Sequence, residues 1–244
     1  MTSNLLSIGK SGLLAAQVGL STTGHNITNA NVAGYNRQTV LQQTSQSNFA
    51  GYGFVGTGTE VSQIKRQYDS FMGTQVNAAQ SATSALDSYY TQISQIDNLL
   101  ADPTAGLSPA LQDFFKGVQD FSANPSSVAS RQALLSSAGS LASRFQGLSA
   151  RLTEIGDGVN SQITSNVTVI NTYAKQLAEL NKSISQLSVD ASNQPNDLLD
   201  QRDQLITELN KYVKATVQPA ANNTVTISIG AGQPLVVADR SFQL

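Results

Sequence analysis

The strongest constraint on the fold is a long stretch in which apolar residues recur every three or four positions. It runs from Leu141 to Leu187, and its mean spacing of about 3.5 residues is that of a coiled coil rather than of a straight isolated helix. The pattern predicts one helix from Ser127 to Val189, which is far longer than a compact chain of 244 residues needs. We therefore expect a mainly α fold, an elongated coiled-coil-like helical bundle.

Two further helices are predicted before this stretch. Helical spacing runs from Asp69 to Leu100, with Asp97 as a polar intrusion among the apolar positions. Ser108 followed by Pro109 is typical of an N-cap and a first helical residue, so a short helix is expected from there through Phe121.

The helix predicted after Pro195 carries Asp200, Arg202 and Asp203 close together. Such a group could be an acid–base pair, but structural ion pairs produce the same cluster far more often, so we interpret it as a helix ion-pair cluster. Acidic residues in its first half, with Lys211 and Lys214 expected in its last turns, suit the helix dipole.

The last thirty residues change to strand-type alternation. Val225, Ile227 and Ile229 alternate with polar residues, a glycine-rich turn follows, and residues 235–238 are again β-prone, which predicts a hairpin. Two strands alone do not form a stable sheet, so we expect this segment to be the start of a β-rich outer domain.

The N-terminal segment predicts a helix from Ser3 to Asn31 with a seam of large residues. These recur every seven positions, and a small residue follows each by three; the large ones are Leu6, Leu13, Leu20 and Ile27. Four glycines in this helix each cost roughly 1 kcal/mol relative to alanine. We expect the helix to be frayed when alone and to gain its order from a partner.

The helix gives way to a turn at residues 29–35, for which Asn31, Gly34 and Tyr35 are the candidate residues. Residues 36–68 are polar and interrupted by glycines, which predicts an extended linker with a β-hairpin. The stretch Gly51–Gly56 matches the dinucleotide pattern G-x-G-x-x-G, but β-prone sequence follows it instead of a helix. A hairpin tip is the better interpretation.

Composition argues against several classes of function. Ser, Thr, Asn and Gln make up 92 of the 244 residues. The net charge is −2 and the basic residues are scattered, whereas nucleic-acid binding needs a patch of several cations. With no cysteine and one histidine, His25, a structural zinc site is not expected. We expect no enzyme activity, no cofactor, no membrane insertion and no cleaved secretory signal.

Several motifs carry a resemblance to a known family. Residues 30–38, Ala-Asn-Val-Ala-Gly-Tyr-Asn-Arg-Gln, resemble the signature of bacterial flagellar rod, hook and hook-associated proteins, whose commoner form has Thr-Pro where Val32-Ala33 stand. The Val-Ala form, with further matches from Val61 to Asp69 and at residues 96–100, 112–115, 131–134 and 196–205, resembles the hook-associated proteins of the hook–filament junction.

The resemblance implies a structural protein, exported by the flagellar type III apparatus without a cleaved signal and assembled outside the cell. It implies partners of three kinds: further copies in a helical or ring assembly, the hook protein, and the second junction protein. Residues 1–35 would form the inner polymerisation layer, 36–68 the linker, 69–215 a long-helix rod domain and 216–244 the start of the outer domain. On this basis the seam of large residues in the N-terminal helix is the candidate assembly interface. The three candidate turn residues would set the angle between layers.

In the family the chain continues through outer domains and returns in a C-terminal helix that packs on the N-terminal one, and the export chaperone uses the C-terminal region. We expect that site to be missing from this sequence. A non-flagellar helical binding module or a type III secreted effector remains the alternative. Rapid proteolytic loss of the first thirty residues would favour an assembly protein over a self-contained module.

Overall fold

The structure is a computed structural model that describes residues 2–102, 106–188 and 194–244. The fold is mainly α with small antiparallel sheets, as the periodicity predicts. Contacts divide the chain into two compact units. One runs from the N-terminus to Ala82 and includes Val169–Leu244; the other is Thr83–Thr168. The four-part division expected along the sequence stays a prediction.

Helix α1 spans Thr2–Asn29, two residues short of the predicted C-terminal end. A hairpin follows, in which β1 (Gln38–Thr44) pairs antiparallel with β4 (Thr59–Arg66) in the register Val40 to Ile64. The hairpin expected within the linker is therefore present.

A short second ladder extends the hairpin to its tip. Strand β2 (Asn48–Phe49) pairs with β3 (Phe54–Val55), and the Ala50 amide donates to the Gly53 carbonyl over 2.9 Å. Gly51 and Gly53 have φ of +86° and +147°, which L side chains rarely adopt. The G-x-G-x-x-G stretch thus closes a hairpin instead of opening a helix.

The two long helices begin at side chains that cap them. Helix α2 spans Ser70–Ala101, and the Asp69 carboxylate accepts bonds from the amides of Phe71 and Met72. Helix α4 spans Val128–Leu187, and the Ser127 hydroxyl accepts from the Ser130 amide. The predicted helix is confirmed to within a residue at its start; its expected end at Val189 lies outside the described residues.

The expected cap of the short helix is wrong. Helix α3 spans Leu107–Ala123 with Gly106 as its N-cap residue, so Ser108 lies within the first turn and makes no cap bond. The helix therefore begins two residues before the start that Ser108 and Pro109 predict.

The helix after Pro195 is shorter than its apolar spacing predicts. Helix α5 spans Asn196–Leu209 and buries Leu199, Arg202, Ile206 and Leu209. Lys211 and Lys214 therefore lie beyond its end and not in its last turns. The Asn210 carboxamide ends the helix by donating to the Ile206 carbonyl and accepting from the Ala215 amide.

The C-terminal segment forms four strands where the sequence indicated two. An antiparallel sheet has the order β5-β6-β7-β8, with β5 at Ala215–Pro219, β6 at Val225–Ile229, β7 at Gln233–Val237 and β8 at Arg240–Ser241. The alternation in β6 is confirmed, since its first, third and fifth residues are buried. Strand β5 was missed because it offers only two inward-facing residues, the half-buried Ala215 and Val217, before Pro219 ends it.

The main core lies between this sheet and the last turns of α4 with α5. Leu177, Leu209 and Ile227 are fully buried there, together with Leu235 and Val236. The buried Asn181 ties α4 to the sheet, because its amide donates to the Val225 and Ala238 carbonyls, each over 2.8 Å. The sheet is therefore packed on the helices and shares their core.

Within the unit Thr83–Thr168, α3 packs closely on α4. Gly117 is buried, and a Cβ at its position would lie 2.8 Å from the Ser137 hydroxyl oxygen and 3.4 Å from the Leu134 Cα. Many large side chains here stay exposed, including Leu86, Tyr90 and Phe145. The predicted apolar positions are therefore only partly covered within this unit.

Leu177→Ala tests the core. Leu177 is fully buried between α4 and the sheet, so its truncation should lower the free energy of unfolding by about 2–5 kcal/mol. Leu187→Ala is the matched control on the same helix, because Leu187 is 57% exposed, and it should change stability by less than about 1 kcal/mol. Urea denaturation followed by circular dichroism measures both; equal losses would contradict this core.

Candidate assembly site

One face of α1 packs on the β1–β4 hairpin. Ala15 and Thr22 are buried on this face, and the Ser11 hydroxyl accepts a bond from the Thr59 amide. Small residues and hydroxyls dominate the face, so the helix and hairpin backbones can approach closely. The N-terminal helix thus has a partner within its own chain, which the heptad pattern did not indicate.

The opposite face of α1 carries an exposed apolar stripe. Its members are more than 70% exposed and lie about half a turn away from Ala15 and Thr22, since each residue turns an α-helix by about 100°. We define the apolar stripe as Leu6, Leu13, Leu20 and Ile27. Leu5 and Leu14, at 77% and 51% exposure, flank it. The heptad count missed these two because it admits one large residue per repeat.

The turn after α1 reverses the chain at Gly34. Its φ is +80°, and a Cβ there would lie 2.7 Å from the Gln204 Cβ on α5. Asn31 is exposed in the turn and has no positive φ. Gly34 has the positive φ of this turn, and its lack of a side chain permits the close approach to α5.

The third turn residue, Tyr35, connects the turn back to α1. Its hydroxyl donates to the Asn26 carboxamide oxygen over 2.7 Å, and its ring contacts His25 edge to face at 5.5 Å. Burial raises the pKa of the Tyr35 hydroxyl, and the carboxylates of Asp197 and Asp200 raise it further. The phenol therefore keeps its proton at neutral pH and acts as a donor.

Asn26 also fastens the end of α1 to strand β1. Its side-chain amide donates to the Gln38 carbonyl and its oxygen accepts from the Gln38 amide, each over 2.8 Å. The Gln38 side chain in turn donates to Asp197 at the start of α5 over 2.8 Å. The Nε2 of His25 lies 3.3 Å from the same carboxylate. One glutamine thus connects α1, β1 and α5.

A buried ionic group joins the turn and the hairpin to α5. We call it the anchor cluster; its members are Asn36, Arg66, Asp200, Arg202 and Asp203. The Asp200 carboxylate accepts from the backbone amide of Asn36 over 2.9 Å, from its side chain over 2.8 Å, and from Arg66 over 2.8 Å. Side chains of Asp200 and Arg66 are only 6% and 10% exposed.

The same cluster extends to the C-terminal sheet. Arg66 also pairs with Asp203 at 2.8 Å, and Arg202 contacts the other oxygen of that carboxylate at 2.9 Å. Arg202 then donates to the Asn223 carbonyl, in the loop between β5 and β6, over 2.7 Å. The Arg66 guanidinium lies 4.3 Å from the centre of the Tyr68 ring.

The sequence indicated only part of this arrangement. It grouped Asp200, Arg202 and Asp203 as an ion-pair cluster on one helix, and these residues do form ion pairs. The missed members are Asn36 and Arg66, which lie more than 130 positions away along the chain. Their only signal was that both stood in motifs shared with flagellar proteins.

The polar side chains of the anchor cluster are bonded to one another or to the backbone. Among the residues that the structure describes, no group of three His, Asp or Glu side chains could hold a metal ion. Within the same ranges, no helix is long and apolar enough to cross a membrane. Every acidic member of the anchor cluster is paired with arginine, which suits a structural role.

Comparisons with known proteins agree with the motifs. The family model described as the flagellar hook-associated protein FlgK helical domain matches residues 93–244. Flagellar hook-associated protein 1 of Salmonella typhimurium is 43% identical over 243 residues, which is 99% of this chain and 44% of that protein. The same protein of Bacillus subtilis is 29% identical over 94% of this chain and 49% of its own length.

A solved structure is also similar. The flagellar hook junction protein FlgK from Burkholderia pseudomallei superposes with a TM-score of 0.63 at 36% identity, over 70% of this chain and 30% of that one. This chain spans less than half the length of the curated relatives it matches. The motifs, the helical fold and these matches together show that the chain belongs to the FlgK family of flagellar hook-associated proteins.

Proposed function

We propose that this chain is a structural component of the bacterial flagellum at the hook–filament junction, and that it polymerises through the apolar stripe of α1. The observation that most directly supports this proposal is the exposure of the stripe: Leu6, Leu13, Leu20 and Ile27 are each more than 70% exposed on one face. An exposed row of large apolar side chains is unfavourable in water and marks a surface that another protein covers.

The rest of α1 supports the same function. Lys10 and His25 are the only basic side chains between Thr2 and Asn36, and no Asp or Glu occurs there, so neighbouring copies of α1 could pack together with little charge repulsion. Gly12 and Gly19 have open space where a Cβ would stand, which leaves room for an adjoining backbone. These features favour helices that pack against further copies.

The proposal includes export by the flagellar type III apparatus and assembly outside the cell, next to the hook protein and the second junction protein. A weak, glycine-rich helix that orders fully among its neighbours suits passage as a flexible chain. A structural rather than catalytic function is consistent with the paired carboxylates of the anchor cluster. Asn31, Gly34 and Tyr35 would set the angle between the inner layer formed by α1 and the next layer outward.

Leu13→Asp combined with Leu20→Asp, in the full-length protein, tests the stripe. Two buried, unpaired carboxylates in an assembled interface would be strongly unfavourable, so we expect loss of the junction and of motility. The isolated variant should keep its helical circular dichroism, because both positions are exposed in the single chain.

The matched control is Leu13→Met combined with Leu20→Met, which keeps the stripe apolar and should assemble. Electron microscopy of hook–filament junctions and swimming assays provide the measurements. Normal junctions in cells that carry only the aspartate variant would refute polymerisation through this stripe.

Gly34→Ala tests the conformation of the turn that follows α1. The positive φ and the contact with Gln204 should make this change destabilising by about 1–2 kcal/mol or more. Gly12→Ala should have the opposite sign and stabilise the isolated chain by up to about 1 kcal/mol, because the site is helical and open. Chemical denaturation of both variants checks this; equal effects of the same sign would contradict it.

A further inference from the structure

The tip of the hairpin exposes three aromatic side chains. Phe49, Tyr52 and Phe54 are 67%, 81% and 76% exposed, and the two phenylalanine rings contact each other edge to face at 5.5 Å. We call these three residues the aromatic tip. Aromatic residues are enriched at the centres of protein interfaces and depleted on free surfaces, so the tip has the composition of a contact site.

The charge around the tip favours a protein partner over a lipid surface. No Asp, Glu, Lys or Arg occurs between Arg37 and Glu60. Segments that bind the surface of anionic membranes carry lysine or arginine beside their aromatic residues, and this segment carries neither. An uncharged aromatic tip fits an apolar pocket on another protein.

The tip lies toward one end of α1. The hairpin is fastened to α1 at Asn26 through Gln38 and at Ser11 through Thr59. Strand pairing then continues through the bond from the Ser45 amide to the Gly58 carbonyl and on to the tip. The tip is therefore on the Ser11 side, away from the turn that follows α1.

A pocket of about 450 Å³ lies at the other end of α1. We call it the turn pocket; its apolar lining comes from Val32, Ala33, Tyr35, Leu180 and Leu205, and polar side chains that include the carboxylates of Asp197 and Asp200 line the remainder. His25 borders it, and His25 is fourteen residues, or about 21 Å of helix, from Ser11. The aromatic tip therefore cannot reach the turn pocket of its own chain.

We propose that the aromatic tip of one copy docks in the turn pocket of a second copy. Two different, complementary surfaces at opposite ends of one helix give a head-to-tail contact, which can be repeated from copy to copy. The contact would add to the packing of the apolar stripe, which faces away from the hairpin. This inference rests on the proposed function, because it assumes that the chain assembles with itself.

Cross-linking in the assembled flagellum tests the contact. This chain has no cysteine, so Tyr52→Cys combined with Val32→Cys in the full-length protein places one thiol on the tip and one at the pocket. A short bismaleimide should join two copies into a covalent dimer. Each single variant, and the pair Tyr52→Cys with Lys175→Cys, should give no such dimer, because Lys175 is exposed on α4 outside the pocket.

Three results would overturn the inference. One is assembled junctions with no dimer from the tip–pocket pair, and another is a product in which the tip is joined to a chain of different mass. The third is binding of the chain to phosphatidylglycerol vesicles that Phe49→Ser with Phe54→Ser abolishes, without any dimer. The Leu13→Asp with Leu20→Asp variant tests the apolar stripe separately. If that variant fails to assemble and the tip–pocket cysteine pair gives no dimer, this inference is wrong while the proposed function still holds.

A second variant adds a readout, the number of complete junctions, that does not depend on cysteine placement. Phe49→Ser with Phe54→Ser should abolish the tip–pocket dimer and reduce the number of complete junctions. Phe242→Ser removes another exposed phenylalanine, 45% exposed at the C-terminal end, and should leave both unchanged. Equal behaviour of the two variants would contradict a specific role for the aromatic tip.

Discussion

The buried carboxylate of Asp200 is the interaction on which the arrangement of the first unit depends. It accepts bonds from Asn36 and Arg66, which brings the turn after α1 and the last residue of β4 onto α5. A buried charge is tolerated only when paired and hydrogen-bonded, so each partner must be in place for the carboxylate to be stable. The same guanidinium reaches Asp203, and Arg202 continues the network to the C-terminal sheet. Residues far apart along the chain are thereby fixed at one point.

The anchor cluster helps to hold α1 without burying the apolar stripe against the rest of the chain. The hairpin takes up the face with Ala15 and Thr22, and Asn26 and Tyr35 hold the end of the helix through hydrogen bonds. None of these contacts covers the apolar stripe. A helix held by polar contacts on one face leaves its other face exposed, and under the proposed function neighbouring copies would cover that face and complete its order.

The sequence predicted the helices better than it predicted the site. Apolar spacing located α4 to within a residue at its start, and the glycines identified the hairpin tip, because both signals are local. The heptad of Leu6, Leu13, Leu20 and Ile27 marked the exposed face of α1 for the same reason. Arg66 and Asn36 could not be placed beside Asp200, since their pairing depends on how three distant segments meet. Strand β5 was missed because its alternation is short and rests on Ala215 and Val217 alone, and α5 ended early because Asn210 caps it.

Amide hydrogen exchange of the Asp200→Asn variant tests most directly whether the anchor cluster holds α1 in place. We expect faster exchange in α1 and the β1–β4 hairpin than in the unchanged chain, with β6 and β7 still protected by the core that contains Leu177 and Ile227. The retained protection of the sheet would show that the variant is folded. Unchanged exchange in α1 and the hairpin, with the sheet equally protected, would show that the anchor cluster does not hold α1 in place.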